Sequence, residues 1–248
     1  MIKLERAQKP AYLTDEKCQE LTEQFKLENS SVWNHKEIKD PLLKSSNGKC
    51  AYCECSITEE SKYMEVEHFL YKKSYQDNVV EWSNLLPSCK RCNLKKSKHD
   101  AIAEPILNPY IIDPKIHFRV HYYRIKGITD IGKSTVDVLD LNNSDRLVLK
   151  RYEIGNAALQ IIEDTEDQLK LFKSDLTTRN KNKLLAMVET LLNECQPKSI
   201  YAAATGSVIF NNYVFLEIVR EAKMLGIWEE DLDNLFKLGK KISFIPLN

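Results

Sequence analysis

Four cysteines are spaced for one chemical task. Cys50-Ala-Tyr-Cys53 and Cys89-Lys-Arg-Cys92 each present two thiolates from a single tight turn. Together they predict a closed tetrahedral S4 shell, the usual arrangement for structural Zn²⁺. The 35 residues between the pairs suffice to close an irregular module around a metal. Cys55 competes with Cys53 as a ligand, and the x2 spacing shared with the second pair favours Cys53. Cys18 and Cys195 fall in helical stripes and read as small buried hydrophobes.

A second chemistry lies between the pairs. Met64-Glu-Val-Glu-His-Phe-Leu reads as the first strand of a hairpin, with Glu65, Glu67 and Phe69 on one face and Val66, His68 and Leu70 on the other. A carboxylate such as Glu67 is a hard oxygen ligand for Mg²⁺ or a similar ion. The adjacent His68 titrates near neutrality and can take a proton from water. Asn84 precedes the second cysteine pair and Asn93 abuts it. A metal on the cysteines would pin the start of the helix carrying Asn93 and hold it against the strand of Glu67 and His68. Lys72, Lys73, Lys90, Arg91, Lys95, Lys96 and Lys98 cluster around these residues. Such a cluster can serve as a patch for contacting a phosphate backbone. His35, His117 and His121 read as surface or partly buried side chains, and His99 is close enough to Lys96 to line the site.

The elements that must position these groups are legible in part. Residues 1–49 form a helical lead-in, in which Cys18, Leu21, Phe25 and Leu27 share a face and Thr14 or Asp15 is the cap. A short segment spans Trp33 to Leu43, and KSSNGK is a turn. The motif-dense core covers 50–104 and a connector covers 105–144. In that connector HFRVHYYRI reads as one strand, followed by a short helix from Ser134 or Thr135 to Leu141. Asn142, Asn143 and Ser144 cap what comes next. Residues 145–248 are mainly helical, with helices expected at 145–163, 165–174, 178–194, 209–225 and near 228–237. Leu147, Leu149, Ile154, Ala158, Ile161 and Ile162 supply one apolar stripe, and Leu184, Val188, Leu191 and Leu192 another. The fold class is α+β.

Composition is that of an ordinary soluble protein. Hydrophobic residues are 43% and charged residues 29% of 248, and 36 basic residues balance 36 acidic ones. Net charge thus neither favours nor excludes nucleic acid. No run of 18 apolar residues predicts a membrane span. The N-terminal segment does not read as a signal peptide, so reduced cysteines and a cytoplasmic location are expected.

The pattern C-x2-C, EH, W-x-N-L, then C-x2-C-N-x2-K resembles the ββα-metal, or HNH, nuclease family in its zinc-ribbon form. The resemblance implies Glu67 as a ligand of the catalytic ion, His68 as general base and Asn84 as the residue that positions it. It implies Asn93 as a further contributor to the metal site and Lys96 as a phosphate contact, beside Lys90, Arg91 and Lys95. Glu stands where Asp or His is commoner, and Asn93 replaces a final His. Both still offer oxygen, favouring Mg²⁺ or Mn²⁺ at the catalytic position over Zn²⁺.

GKCAYCE, MEVEHFLYKK, WSNLLPSCKRCNLKKS, the ILNP…IDP…HFRV connector and STVDVLDLNNSDRLVLKR are similar to the PtuB family, the HNH subunits of Septu anti-phage systems. That likeness covers most of residues 1–165. It implies an ABC/SMC-type ATPase partner of the PtuA kind, with the helical region 145–248 as a partner-binding part. In retron versions it implies a reverse transcriptase and multicopy single-stranded DNA as well. Phage DNA or host tRNA would be the substrate. A stand-alone restriction or homing nuclease is the alternative within nucleases. A zinc-stapled binding module, needing the cysteines but not Glu67, His68 or Asn93, is the alternative of another class.

Overall fold

A computed structural model describes residues 1–59 and 63–247. Residues 60–62 of the expected core span lie outside the described residues. The chain is α+β and divides into two compact units. One comprises Met1–His117 with Gly127–Leu141, the other Phe118–Lys126 with Asn142–Asn248, so residues 105–144 are shared between them.

The first unit opens with two helices. Helix α1 (Asp15–Glu28) is capped by Thr14, whose hydroxyl accepts from the Lys17 amide. It buries Leu21 and Phe25, while Leu27 is 85% exposed and does not join the expected stripe. Helix α2 (Lys36–Ser45) buries Ile38 and Leu42. The His35 ring caps it by accepting from the Glu37 amide, and stacks on Tyr12 at 4.1 Å. Strands β1 (Met64–His68) and β2 (Leu85–Cys89) pair antiparallel, with His68 opposite Leu85 and Met64 opposite Cys89. A long loop joins them in place of a tight turn. Helix α3 (Lys90–Lys96) begins directly at Cys89, which is its N-cap.

The N-terminal residues complete this core. Met1, Ile2 and Leu4 are buried. Arg6 donates to the carbonyls of Trp82, Ser83 and Leu85, and its guanidinium lies 3.9 Å from the Tyr110 ring.

The expected single strand at HFRVHYYRI is instead a hairpin. Strands β3 (Phe118–His121) and β4 (Arg124–Gly127) are joined by Tyr122 and Tyr123. The short helix that follows, α4 (Asp130–Val138), starts earlier than expected because Thr129, not Ser134 or Thr135, is its cap. Thr135 is fully buried, and its hydroxyl accepts from the Leu107 amide.

The second unit is helical around one apolar cluster. Asn143 caps a π-helical turn at Ser144–Val148 that runs into α5 (Leu149–Ser174). The two helices expected at 145–163 and 165–174 are therefore one. Thr165 does not cap a new helix, because its hydroxyl bonds back to the Ile161 carbonyl. Leu149 is 45% exposed and leaves the stripe. Helix α6 (Thr178–Glu194) buries Leu184, Val188, Leu191 and Leu192 as expected.

The helix expected at 209–225 is α8 (Tyr213–Met224), which starts later because Asn212 is its cap, and it is preceded by a helix that was not expected, α7 (Ala202–Ile209). Helix α7 is buried nearly all round, so it carries no stripe for periodicity to reveal. The last helix, α9 (Glu230–Ile242), ends beside β5 (Ile245–Pro246), which pairs parallel with β3. No single described helix is long and apolar enough to cross a membrane.

Candidate nuclease and metal centre

The four cysteine sulfurs converge. Zn–S bonds of about 2.3 Å put sulfurs about 3.8 Å apart on a tetrahedron. Cys53 and Cys89 Sγ lie 3.8 Å apart, and the ligand atoms of Cys50, Cys53, Cys89 and Cys92 all fall within 4.8 Å of one another. Local structure produces this. Cys50 and Cys53 sit in a turn pinned by bonds from the Cys50 amide to the Cys55 carbonyl and from the Ala51 amide to the Pro87 carbonyl. Cys89 and Cys92 are the cap and third residue of α3, and the Cys89 sulfur accepts from the Cys92 amide. Cys55 stands outside the cluster of four. Cys195 is buried at the end of α6, as a small hydrophobe would be, whereas Cys18 is only partly buried.

Helix α3 packs against β1, so residues one turn apart on the helix meet alternate residues on the strand. Asn93 donates through Nδ2 to Glu65 at 3.4 Å, which leaves its Oδ1 as a free ligand oxygen. Lys96 Nζ lies 2.7 Å from Glu67 Oε1 and donates to the His68 carbonyl at 2.8 Å. Glu67 is buried, and Oε1 receives no aligned hydrogen bond despite the nearby ammonium. Burial raises the Glu67 carboxyl to about 7, against the lowering pull of Lys96. A carboxylate and an amide oxygen are the donor types that a hard divalent cation takes, and here Lys96 already neutralises the Oε1 side of Glu67.

His68 ends β1 and is nearly sealed. Its Nε2 is 2.9 Å from the Val79 carbonyl, which can only accept, so Nε2 carries the proton and Nδ1 keeps the lone pair. The Trp33 ring meets the imidazole edge-on at 4.5 Å. Contrary to the expectation of titration near neutrality, burial and then repulsion from Lys72 lower the histidine to about 3, so it is a neutral imidazole at physiological pH.

Asn84 is buried beneath this arrangement. It accepts from the Leu70 amide and donates to the Leu70 and Asn78 carbonyls. It does not touch His68. It clamps both ends of the loop whose next residue, Val79, orients the ring.

A polar cavity of about 380 Å³ opens beside these groups, lined among others by Ser31, Trp33, Asn34, Glu65, Lys72 and Asn93. Neither Glu67 nor His68 reaches its lining. Trp33 and Glu65 are participants to which sequence reasoning gave no role, and Lys72, expected in the basic cluster, lines the cavity. Lys72 Nζ sits 4.5 Å over the Trp33 ring. Trp33 comes from the lead-in, and nothing in its local sequence marks it.

The basic patch is corrected in part. Lys96 is not a surface phosphate contact, because its side chain is fully buried against Glu67. Arg91 is turned to α4: it donates to the Leu139 and Asp140 carbonyls and pairs with the Asp140 carboxylate at 3.0 Å. Lys95 is half-exposed and shares that carboxylate at 3.1 Å. Lys90 is exposed. Among the histidines, His99 bonds the Glu104 carbonyl rather than lining the cavity, and His117 bonds Thr129.

Two stability measurements follow. Arg91→Met is expected to cost about 1–3 kcal/mol in urea denaturation, since it removes the donor to the Leu139 and Asp140 carbonyls while Lys95 still holds the Asp140 carboxylate. Lys96→Met is expected to cost about 3–5 kcal/mol, by leaving a buried carboxylate unpaired. Adding Glu67→Gln should return part of that loss. Strictly additive costs would show that the two side chains do not interact.

A Septu protein PtuB from Bacillus thuringiensis is 44% identical over 243 residues, spanning 97% of this chain and 94% of the relative. The chain belongs to the PtuB family. A second Septu protein PtuB, from Bacillus mycoides strain KBAB4, is 37% identical over 81 residues, or 27% of each chain. The HNH endonuclease family matches residues 50–99, which contain both cysteine pairs and every residue from Glu65 to Lys96 described above. No solved structure matches the chain.

Proposed function

We propose that this chain is a metal-dependent endonuclease that hydrolyses phosphodiester bonds of DNA or tRNA. The observation that carries the reading is the His68 geometry: a neutral imidazole with its proton fixed on Nε2 and its lone pair on Nδ1, one residue from a buried carboxylate, Glu67, paired with Lys96. Nδ1 is the atom that takes the proton from the attacking water. The Val79 carbonyl holds the ring in that tautomer and stabilises the imidazolium that forms. Asn84 keeps that carbonyl in place through the loop.

Glu67 and the Asn93 Oδ1 would hold a Mg²⁺ or Mn²⁺ ion. When bound, it supplies Lewis-acid stabilisation of the charge building on the phosphate and the leaving oxygen. The four cysteines hold a structural Zn²⁺, which fixes α3 against β1 and so sets Asn93 and Lys96 over Glu65 and Glu67. Lys90 and the exposed side of Lys95 remain to meet phosphate.

The chain acts as the effector of an anti-phage complex with an ABC/SMC-type ATPase of the PtuA kind, its helical unit serving as the docking part. The family membership supports this partner, as does the exposure of Tyr213, Leu216 and Met224 on α8.

Incubation of the purified protein, alone and with the copurified ATPase, with plasmid DNA and with total tRNA tests the reading. Cleavage of one of them is expected with Mg²⁺ or Mn²⁺ present. No cleavage of either, by the chain alone or in the complex, would sink it.

A further inference from the structure

The β3–β4 hairpin turns in two residues, Tyr122 and Tyr123, both with left-handed backbone at φ 44 and 64. Two-residue hairpin turns demand that conformation and normally use Asn-Gly. Tyrosines there are strained, and such strain persists only where packing over-determines it.

The packing is visible for Tyr123. Its ring fills the slot left by Gly155 of α5, where an added Cβ would stand 2.5 Å from the ring. Arg151 donates to its carbonyl at 3.3 Å, and Tyr152 meets the ring edge-on at 5.5 Å. Tyr123 is the anchor, and its consequence is Tyr122. That ring projects outward, 80% exposed, braced by His121 at 4.2 Å. Beside it an open groove of about 470 Å³ is lined by Val208, Pro246 and Leu247 among others.

The surroundings are cationic. From Phe118 to Lys126 there are Arg119, Arg124 and Lys126, and no acidic residue. Arg124 and Lys126 are exposed and have no ion-pair partner among the described residues. Exposed rings among uncompensated cations suit an unpaired nucleic-acid strand, whose bases stack while its phosphates meet the charges. A protein partner would have to desolvate Lys126, a residue type in which protein interfaces are depleted.

We propose that the β3–β4 hairpin and its groove bind a single-stranded segment of nucleic acid, with a base on Tyr122 and phosphates on Arg124 and Lys126. This surface lies in the other unit from the nuclease centre and does not depend on cleavage.

The test uses the full chain carrying His68→Ala, without added Mg²⁺ or Mn²⁺. Labelled single-stranded DNA and RNA oligonucleotides and a duplex are titrated by fluorescence anisotropy. Tyr122→Asn removes the ring and suits a left-handed backbone, so folding is preserved. It is expected to weaken single-strand binding about tenfold. Arg124→Ala with Lys126→Ala should flatten the slope of log affinity against log salt by about 1.4.

Unchanged binding in both variants overturns the proposal. So does a parent chain that binds no oligonucleotide, or that binds duplex as tightly as single strand. Loss of ATPase copurification in Tyr122→Asn with oligonucleotide binding intact would assign the surface to protein instead. Because no cleavage is read, failure here leaves the nuclease assignment standing, and failure of that assignment leaves this one testable.

Discussion

Replacing His68 by alanine is expected to slow phosphodiester cleavage about 10²- to 10⁴-fold, the usual contribution of a positioned general base. The protein should keep its cysteine-bound metal and a cooperative thermal transition, lowered because the variant leaves the Val79 carbonyl unpaired. The argument rests on three linked contacts. The Val79 carbonyl fixes the tautomer, burial keeps the ring neutral, and Asn84 anchors the loop that supplies the carbonyl. Asn84→Ala should therefore also lower the cleavage rate, though it touches neither the ring nor the substrate. Initial rates on labelled substrate at saturating divalent ion are the measurement, with zinc content and melting as folding controls. A His68→Ala protein that retains zinc and cleaves at the parent rate would remove His68 from the mechanism. The non-catalytic binding module would then be the better reading.

Removal of the cysteine-bound metal carries the second large effect. Elemental analysis should find one zinc per chain, and Cys89→Ser should lose it. Structural zinc contributes about 10–16 kcal/mol in small zinc modules at neutral pH. That matches or exceeds the whole stability of a typical domain, about 5–15 kcal/mol. The first unit is therefore expected to unfold around residues 50–99, abolishing cleavage. The second unit has its own core from Ala158 to Leu232 and uses none of the four cysteines, so it should keep its helical circular dichroism. Cys89 carries extra weight because it is also the cap of α3. A zinc-free protein that melts and cleaves like the parent would show the sulfur cluster to be dispensable.

Much of the centre was legible because its parts are local. A CxxC turn places two sulfurs together whatever surrounds it, so Cys50, Cys53, Cys89 and Cys92 could be read from spacing alone. Stripes on α1 and α6 were legible for the same reason, since one helix face needs only its own neighbours. Failures occurred where the partner was distant or periodicity was missing. Helix α7 is buried on all sides, β5 is two residues long, and the Tyr122–Tyr123 turn lacks the Asn-Gly that announces a hairpin. Residues 145–174 were expected as two helices and form one, in which Thr165 bonds back to the Ile161 carbonyl.

The charges show the same division. Lys90, Arg91, Lys95 and Lys96 are indistinguishable as a run of cations, yet α3 sends one to solvent, two to Asp140 and one into the interior. The order of residues by itself determined the sulfur ligands, the Glu67–His68 pair and the α+β class. Tertiary structure alone decided that Lys96 neutralises Glu67, that Trp33 covers His68, and that Asn84 clamps the loop leading to Val79. Ligand spacing is set within a turn of chain. Burial, tautomer and pairing are set by what packs against it from elsewhere.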